Sequence, residues 1–160
     1  MEYMDFSEKF EEVLAANAGG DVVNLLITDG DPTRLDDALY ALRNWSLQKD
    51  INLVELDEGD DSWVPKIQSR ELFDELNRPN TVLLVKNYAT VHWLGANDNN
   101  PHSFLRDAAL NRHYGCGNDF WPSDALPNLL FVVAWNDLRE MYWDKKEISH
   151  FEIARLGLPL

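Results

Sequence analysis

Val22-Val23-Asn24-Leu25-Leu26-Ile27-Thr28-Asp29-Gly30-Asp31-Pro32-Thr33-Arg34 is the stretch on which the fold turns. Its first seven residues are nearly all apolar and show no alternation with polar ones. That is the pattern of a strand buried on both faces, as the strands of a parallel sheet are. Asp31-Pro32 then supplies a helix N-cap with proline at the first helical position. Beyond it Leu35, Ala38, Leu39, Leu42 and Trp45 fall on one stripe, so a helix runs to about Gln48. A buried strand that passes through a tight loop straight into an amphipathic helix is the first half of a βαβ unit.

The flanking sequence repeats the theme. Upstream, Asp5-Phe6-Ser7-Glu8 has a cap residue with Glu three positions on, and Phe6, Phe10, Val13 and Leu14 recur at helical spacing up to Gly19-Gly20. Downstream, Ile51 to Leu56, Thr81 to Val85 and Leu129 to Ala134 read as further strands, with a last one near Phe151 to Leu156. Between them helices are expected from about Ser69 to Asn77, closed by Pro79, and from Asn100-Pro101 to near Gly115-Cys116-Gly117. A short helix is expected over Leu138 to Tyr142. Strands alternating with helices imply right-handed crossovers and a sheet covered on both sides. The expected architecture is an α/β three-layer sandwich with an open, mainly parallel sheet of about five strands. Ligands on such a sheet bind at the carboxyl ends of the strands.

The 160 residues are 45% hydrophobic and carry 11% aromatics, enough for a sizeable core, and nothing marks a domain boundary. A single α/β domain over 1–160 is expected, with residues 1–20 forming an N-terminal helix. The net charge of −14 argues against direct nucleic-acid binding, which needs clustered cations facing phosphates. It leaves open an acidic DNA mimic or adaptor that meets a basic partner. The charge is uneven: residues 1–80 hold 19 acids and 7 bases, residues 81–160 hold 9 and 7. The densest run, Glu55-Leu56-Asp57-Glu58-Gly59-Asp60-Asp61, reads as a solvated loop after a strand. A single cysteine, Cys116, cannot form an internal disulfide, and no apolar run approaches the roughly 18 residues of a membrane span. The expectation is a cytoplasmic protein that does not enter a membrane.

From Ser103 to Asp137 the chain offers the helix Phe104-Leu105-Arg106-Asp107-Ala108-Ala109-Leu110-Asn111-Arg112, a Gly-containing loop, Leu126-Pro127-Asn128, and an apolar strand ending in Ala134-Trp135-Asn136. This segment resembles the part of AAA+ ATPases of the MoxR and dynein-related type that ends in the sensor-1 strand, with Asn136 at the sensor position. The resemblance extends over about 135 residues and implies a P-loop NTPase-like topology. In it Asn24 to Thr28 is the strand before the phosphate loop and Thr81 to Val85 is the Walker B strand. Phe151 to Leu156 is the fifth strand. The helical lid that follows in the family has no counterpart, so residues 21–160 are expected to form an AAA+-like core without a lid.

The catalytic parts of that family are replaced. The loop at the phosphate position is Asp29-Gly30-Asp31-Pro32-Thr33-Arg34, with one glycine, no GK[ST], and two carboxylates where phosphate oxygens would sit. Two charges about 4 Å apart repel by roughly 4 kcal/mol at an effective dielectric of about 20. Asp29 and Asp31 therefore oppose a triphosphate unless a metal intervenes, and Arg34 alone is not expected to offset both. After Val85, Lys86-Asn87 stands where the Walker B acids would hold Mg²⁺. Ser149-His150-Phe151 stands where an arginine finger is common. The resemblance with these departures implies a pseudo-ATPase without a cofactor, acting through association with a protein partner or with copies of itself. Weak nucleotide binding through Arg34 and the N-terminus of the helix at Pro32 is a further reading.

A second enzyme class fits the same loop. Leu26-Ile27-Thr28-Asp29-Gly30-Asp31-Pro32-Thr33 matches the hhhDxDx[TV] pattern of haloacid-dehalogenase-type phosphatases. There Asp29 would be the nucleophile, Asp31 the general acid/base, and Asp137 would complete a Mg²⁺ site. His92, His102 and His113 with Cys116 match no zinc-ligand spacing. Of the six tryptophans, Trp45 and Trp135 belong to core patterns. Trp63, Trp93, Trp121 and Trp143 fall in or beside expected loops, where aromatics serve either as interface anchors or as packing against the sheet.

Overall fold

In the computed structural model residues 6–60, 62–87, 101–115, 117, 121–136 and 151–155 are described. Helix α1 (Phe6–Ala18), strand β1 (Asn24–Thr28) and helix α2 (Pro32–Gln48) follow the pattern of the opening stretch. Strands β2 (Asn52–Asp57) and β3 (Thr81–Lys86) bracket two short helices, α3 (Trp63–Ile67) and α4 (Arg70–Leu76). Helix α5 (Pro101–Asn111) leads into a small antiparallel ladder of β4 (His113–Tyr114) with β5 (Asp124–Ala125). Strands β6 (Leu129–Asn136) and β7 (Phe151–Arg155) come last.

The five long strands form one sheet in the order β2-β3-β6-β1-β7, with every pairing parallel. The connection from β1 to β2 crosses two strands in one direction, and the later connections return the other way. With right-handed crossovers this puts α2 on one face and α3, α4 and α5 on the other. Side-chain alternation agrees. Leu25, Ile27, Val82, Leu84, Phe131 and Val133 pack with Phe10, Val13, Leu35, Leu42 and Trp45 of α1 and α2. Leu26, Leu83, Val85, Val132 and Ala134 pack with Ile67, Leu72, Leu105 and Ala108 of the other helices. Each fully buried aliphatic or phenyl side chain here contributes roughly 1.5–3 kcal/mol. Because α2 and the later helices leave toward opposite faces, the carboxyl end of β1 is the topological switch point, where open α/β sheets form ligand crevices.

At the opposite end of the sheet Arg112 joins both halves. It stands at φ 53, and this left-handed turn ends α5 at Asn111, short of the expected stop near Gly115. Its guanidinium folds back onto Ala108 O and Ala109 O at 3.1 and 2.6 Å, capping the helix's last carbonyls. It also donates to Asn17 Oδ1 at 2.8 Å, Val23 O at 3.4 Å and Leu130 O at 3.2 Å. Leu130 is available because the ladder slips: β3 advances one residue from Thr81 to Val82 while β6 advances two, from Leu129 to Phe131. Burial draws the Arg112 pKa down to about 10, so the group is still charged at neutral pH. Asn24, fully buried, reinforces the same end by donating to Ala109 O at 2.9 Å and accepting from Val132 N at 3.0 Å.

Helix α3 is an element that periodicity did not signal, since five residues do not span two turns. The expected helix at 138–142 lies outside the described residues, as does Leu156. Among the described residues no helix is long and apolar enough to cross a membrane.

Candidate functional site

The loop at the carboxyl end of β1 is closed by its own side chains. Asp29 is 3% exposed, and its Oδ1 accepts from Asp31 N at 2.7 Å. Asp31 is the N-cap of α2, with Pro32 inside the first turn, and its Oδ1 accepts from Thr33 N at 2.9 Å. The backbone N–H groups of Asp31 and Thr33 therefore face carboxylates of the loop itself. In an anion-binding loop such groups point at the ligand. Arg34 reaches back over both acids: its Nε lies 3.3 Å from Asp29 Oδ2 and 3.7 Å from Asp31 Oδ2. Its single positive charge lies beside two carboxylates, so the loop stays net negative. One turn of helix brings residue 34 above residue 31, and the tight Asp29 turn brings the first acid under it. The attraction is coulombic, since neither Asp29 Oδ2 nor Arg34 Nε has a hydrogen-bond partner of good geometry among the described residues. Thr28 Oγ1, also buried, has none there either. Gly30 is exposed at the tip.

The neighbouring strand ends complete the surroundings. Thr28 is in register with Asn136 of β6 on one side and Arg155 of β7 on the other. Asn136, expected at a sensor position, thus lies on the strand beside the loop, one pairing step from its start. Lys86 ends β3, paired with Trp135 of β6, and its Nζ stands 3.9 Å from Glu55 Oε1. Asn87 adopts φ 58 and donates from Nδ2 to Asp57 Oδ1 at 2.6 Å. The end of β3 therefore presents an ammonium and an amide. Asp137 lies outside the described residues, and among those described no three His, Cys, Asp or Glu side chains gather as a metal site.

Two of the four tryptophans read as candidate interface anchors are packing residues. Trp63 opens helix α3 and is 6% exposed within the core cluster of that face. Trp121 packs edge-on against Phe104 and Tyr114, with ring centroids 5.7 Å from each. It also covers Gly115, at φ 103, where a Cβ would overlap the indole. Tyr114 is buried beneath it, its hydroxyl donating to Ile67 O and Ser69 O, and burial pushes its pKa well above the usual phenol range. Trp93 and Trp143 lie outside the described residues, as do His92 and Cys116. His113 is exposed, its Nδ1 3.1 Å from Ser123 Oγ, and is part of no metal cluster among the described residues.

Two features escaped the sequence. The first is the Arg112 network, for which a lone arginine at a helix end gives no pattern. The second is the pair Tyr40 and Leu47, 68% and 81% exposed on the outer side of α2 at a spacing of two helical turns.

A five-stranded parallel sheet in this order, with helices on both faces, is an open α/β fold of P-loop-like topology. The fold is similar to solved structures of RuvB from Thermotoga maritima, an AAA+ P-loop ATPase. One mutant form matches with a TM-score of 0.53 and 17% identity over 94% of this chain and 44% of that one. A second matches with a TM-score of 0.52 and 15% identity over 98% and 46%. The chain thus spans less than half the length of these structures. At such identity the likeness establishes the fold alone. No protein-family model and no curated protein matches the sequence.

Proposed function

We propose that this chain is a non-hydrolytic AAA+-like domain, of the degenerate MoxR and dynein-related kind, that works through association with a protein partner. One observation carries the reading: the N–H groups of Asp31 and Thr33 are held by Asp29 and Asp31, with Arg34 over both carboxylates. A phosphate group would have to displace two carboxylates from these donors and then sit beside them. The sequence adds that no GK[ST] follows the loop and that Lys86-Asn87 ends the third strand where metal-binding acids would stand. For association, α2 offers Tyr40 and Leu47 as exposed apolar groups on one outer side.

The test is binding of a fluorescent ATP analogue with Mg²⁺, together with phosphate release from ATP and from an aryl phosphate. No saturable binding at micromolar protein and no turnover is the expected result. ATP binding or hydrolysis overturns the proposal. Hydrolysis of the aryl phosphate that disappears in Asp29→Asn would replace it with the phosphatase reading, with Asp29 as nucleophile and Mg²⁺ as cofactor.

A further inference from the structure

Among the described residues three large apolar side chains are exposed, Val22, Tyr40 and Leu47, and the two most exposed of them lie on one helix. At about 3.6 residues per turn, seven positions bring Leu47 to within about 20° of the line of Tyr40 and about 10 Å further along α2. Thr33, also exposed, stands seven positions before Tyr40 on the same line. The other side of the helix, through Leu35, Ala38, Leu42 and Trp45, is already buried against the sheet. A repeat of seven on the outer side is the seam along which a second helix packs.

The charge beside this seam is one-sided. Both cations of α2 and the lysine just beyond it are held by acids. Arg34 lies over Asp29 and Asp31, and Arg43 grips Glu55 with Nε to Oε2 at 3.0 Å and Nη2 to Oε1 at 2.7 Å. Lys49 Nζ is 2.8 Å from Glu11 Oε1. Asp36 and Asp37 are exposed and form no ion pair among the described residues. One turn before Tyr40, they flank its line at about 40° on one side and about 60° on the other. The seam therefore runs from two uncompensated carboxylates to a phenol ring and then to an aliphatic side chain, and the helix has no free cation to set beside them. Its complement carries apolar groups at the same spacing with cations at the end that meets Asp36 and Asp37.

A second copy of the chain lacks that complement. Two α2 helices side by side would contribute two such carboxylates each and no free cation of their own, between chains that each carry −14. Tyr40 and Leu47 together offer on the order of 300 Å² of surface, well under the roughly 800 Å² that each side of a stable protein–protein interface buries. An area of that size suits one helix better than the face of a whole domain.

We infer, resting on the reading of this chain as an association domain, that the outer side of α2 binds a basic amphipathic helix of a partner protein. The apolar stripe of that helix lies on Tyr40 and Leu47, and its lysines or arginines meet Asp36 and Asp37.

The probe is a peptide of about 20 residues, enough for a helix to form on binding, with Leu and Ile in heptad repeat and Lys elsewhere. One control replaces Lys by Glu, and another keeps the composition but scrambles the repeat. Titration of the full chain, followed by its amide NMR signals, should give saturable shifts centred on residues 36–47. The heptad peptide should bind at least about tenfold more tightly than either control. Tyr40→Ala with Leu47→Ala should remove that margin, and Asp36→Asn with Asp37→Asn should flatten the salt dependence, with thermal unfolding little changed in both. The inference is overturned if the heptad peptide does not saturate, if either control binds as tightly, if the alanine variant binds like the parent, or if the asparagine variant keeps the parent's salt dependence. It is also overturned if sedimentation shows a dimer that the alanine variant dissolves, because the occupant is then a second copy. ATP binding would remove the non-hydrolytic reading and leave these peptide measurements as they are, so the two fail separately.

Discussion

Arg34 Nε lies 3.3 Å from Asp29 Oδ2, so the buried acid at the end of β1 has its counter-charge on the helix that begins three residues later. The Asp29 side chain is 2% exposed and that of Arg34 is 37% exposed. Arg34→Ala should therefore leave a desolvated carboxylate with only the Asp31 N–H, at a cost of about 1–3 kcal/mol in urea unfolding. Asp29→Asn in the Arg34→Ala background should recover much of this, because the uncompensated charge is gone. Additive losses in the double-mutant cycle would show that the two residues do not act as a pair.

Removal of Arg112 should be more damaging. Arg112→Met deletes donors to five oxygens contributed by α1, α5, the lead into β1 and the slipped ladder of β6. A loss of about 2–4 kcal/mol is expected, since Ala108 O, Leu130 O and Asn17 Oδ1 lose a charged donor together, while Ala109 O keeps Asn24 and Val23 O keeps Asn17. Hydrogen exchange at the amino ends of β1 and β6 is the local readout. Unchanged protection there would contradict the role given to Arg112.

Two glycines at nearly the same backbone angle separate strain from overlap. Gly20 has φ 101 and nothing near the position of a Cβ, whereas Gly115 has φ 103 beneath the Trp121 indole. Gly20→Ala should cost about 1 kcal/mol from backbone strain alone. Gly115→Ala carries the same strain and must also displace Trp121 from Tyr114, so a total of about 2–4 kcal/mol is expected. Equal losses in thermal unfolding would mean that Trp121 yields freely.

Acid should weaken the fold through Glu55 and Glu11. Hydrogen bonds from Arg43, aided by the charges of Arg43, Lys86 and Lys66, hold Glu55 below its ordinary 4.5, while burial pulls the other way. Glu11 is lowered by hydrogen bonds from Lys49 and Trp45. A carboxylate lowered in the folded state adds stability that is complete above the ordinary value and is lost as pH falls through the lowered one. Arg43 is 47% exposed, so the Glu55 pair contributes under about 1 kcal/mol. Glu55→Gln should shrink the acid-induced loss by that amount and change little at high salt. A loss of the same size in parent and variant would refute the assignment.

The parts of the fold legible in the sequence are those governed by local pattern. Runs such as Leu25 to Thr28 and Val82 to Val85 announce strands with two buried faces, and Asp31-Pro32 fixes the start of α2. Elements set by a single distant contact were not legible. Arg112 ends α5 because its guanidinium finds carbonyls from residues 23 and 130, which no local window contains. Trp63 and Trp121 lie in segments with turn-like composition, yet they are core residues because those segments fold back over α5. In the candidate site the acids were evident from the residue types. Their closure by Arg34 depends on how sharply the chain turns at Asp29, which composition does not encode.

The sheet order has a temporal consequence. β1 is paired with β6 and β7 and with neither β2 nor β3, so this strand waits for two that are made much later before it has an edge to bind. Until residues 129–155 emerge, Leu25, Leu26 and Ile27 have no sheet in which to be buried. Arg112 and Asn24 likewise meet partners about a hundred positions away. Such non-local closure slows folding and prolongs the exposure of apolar strand. Nascent chains should therefore draw on holding chaperones until residues 129–155 have emerged.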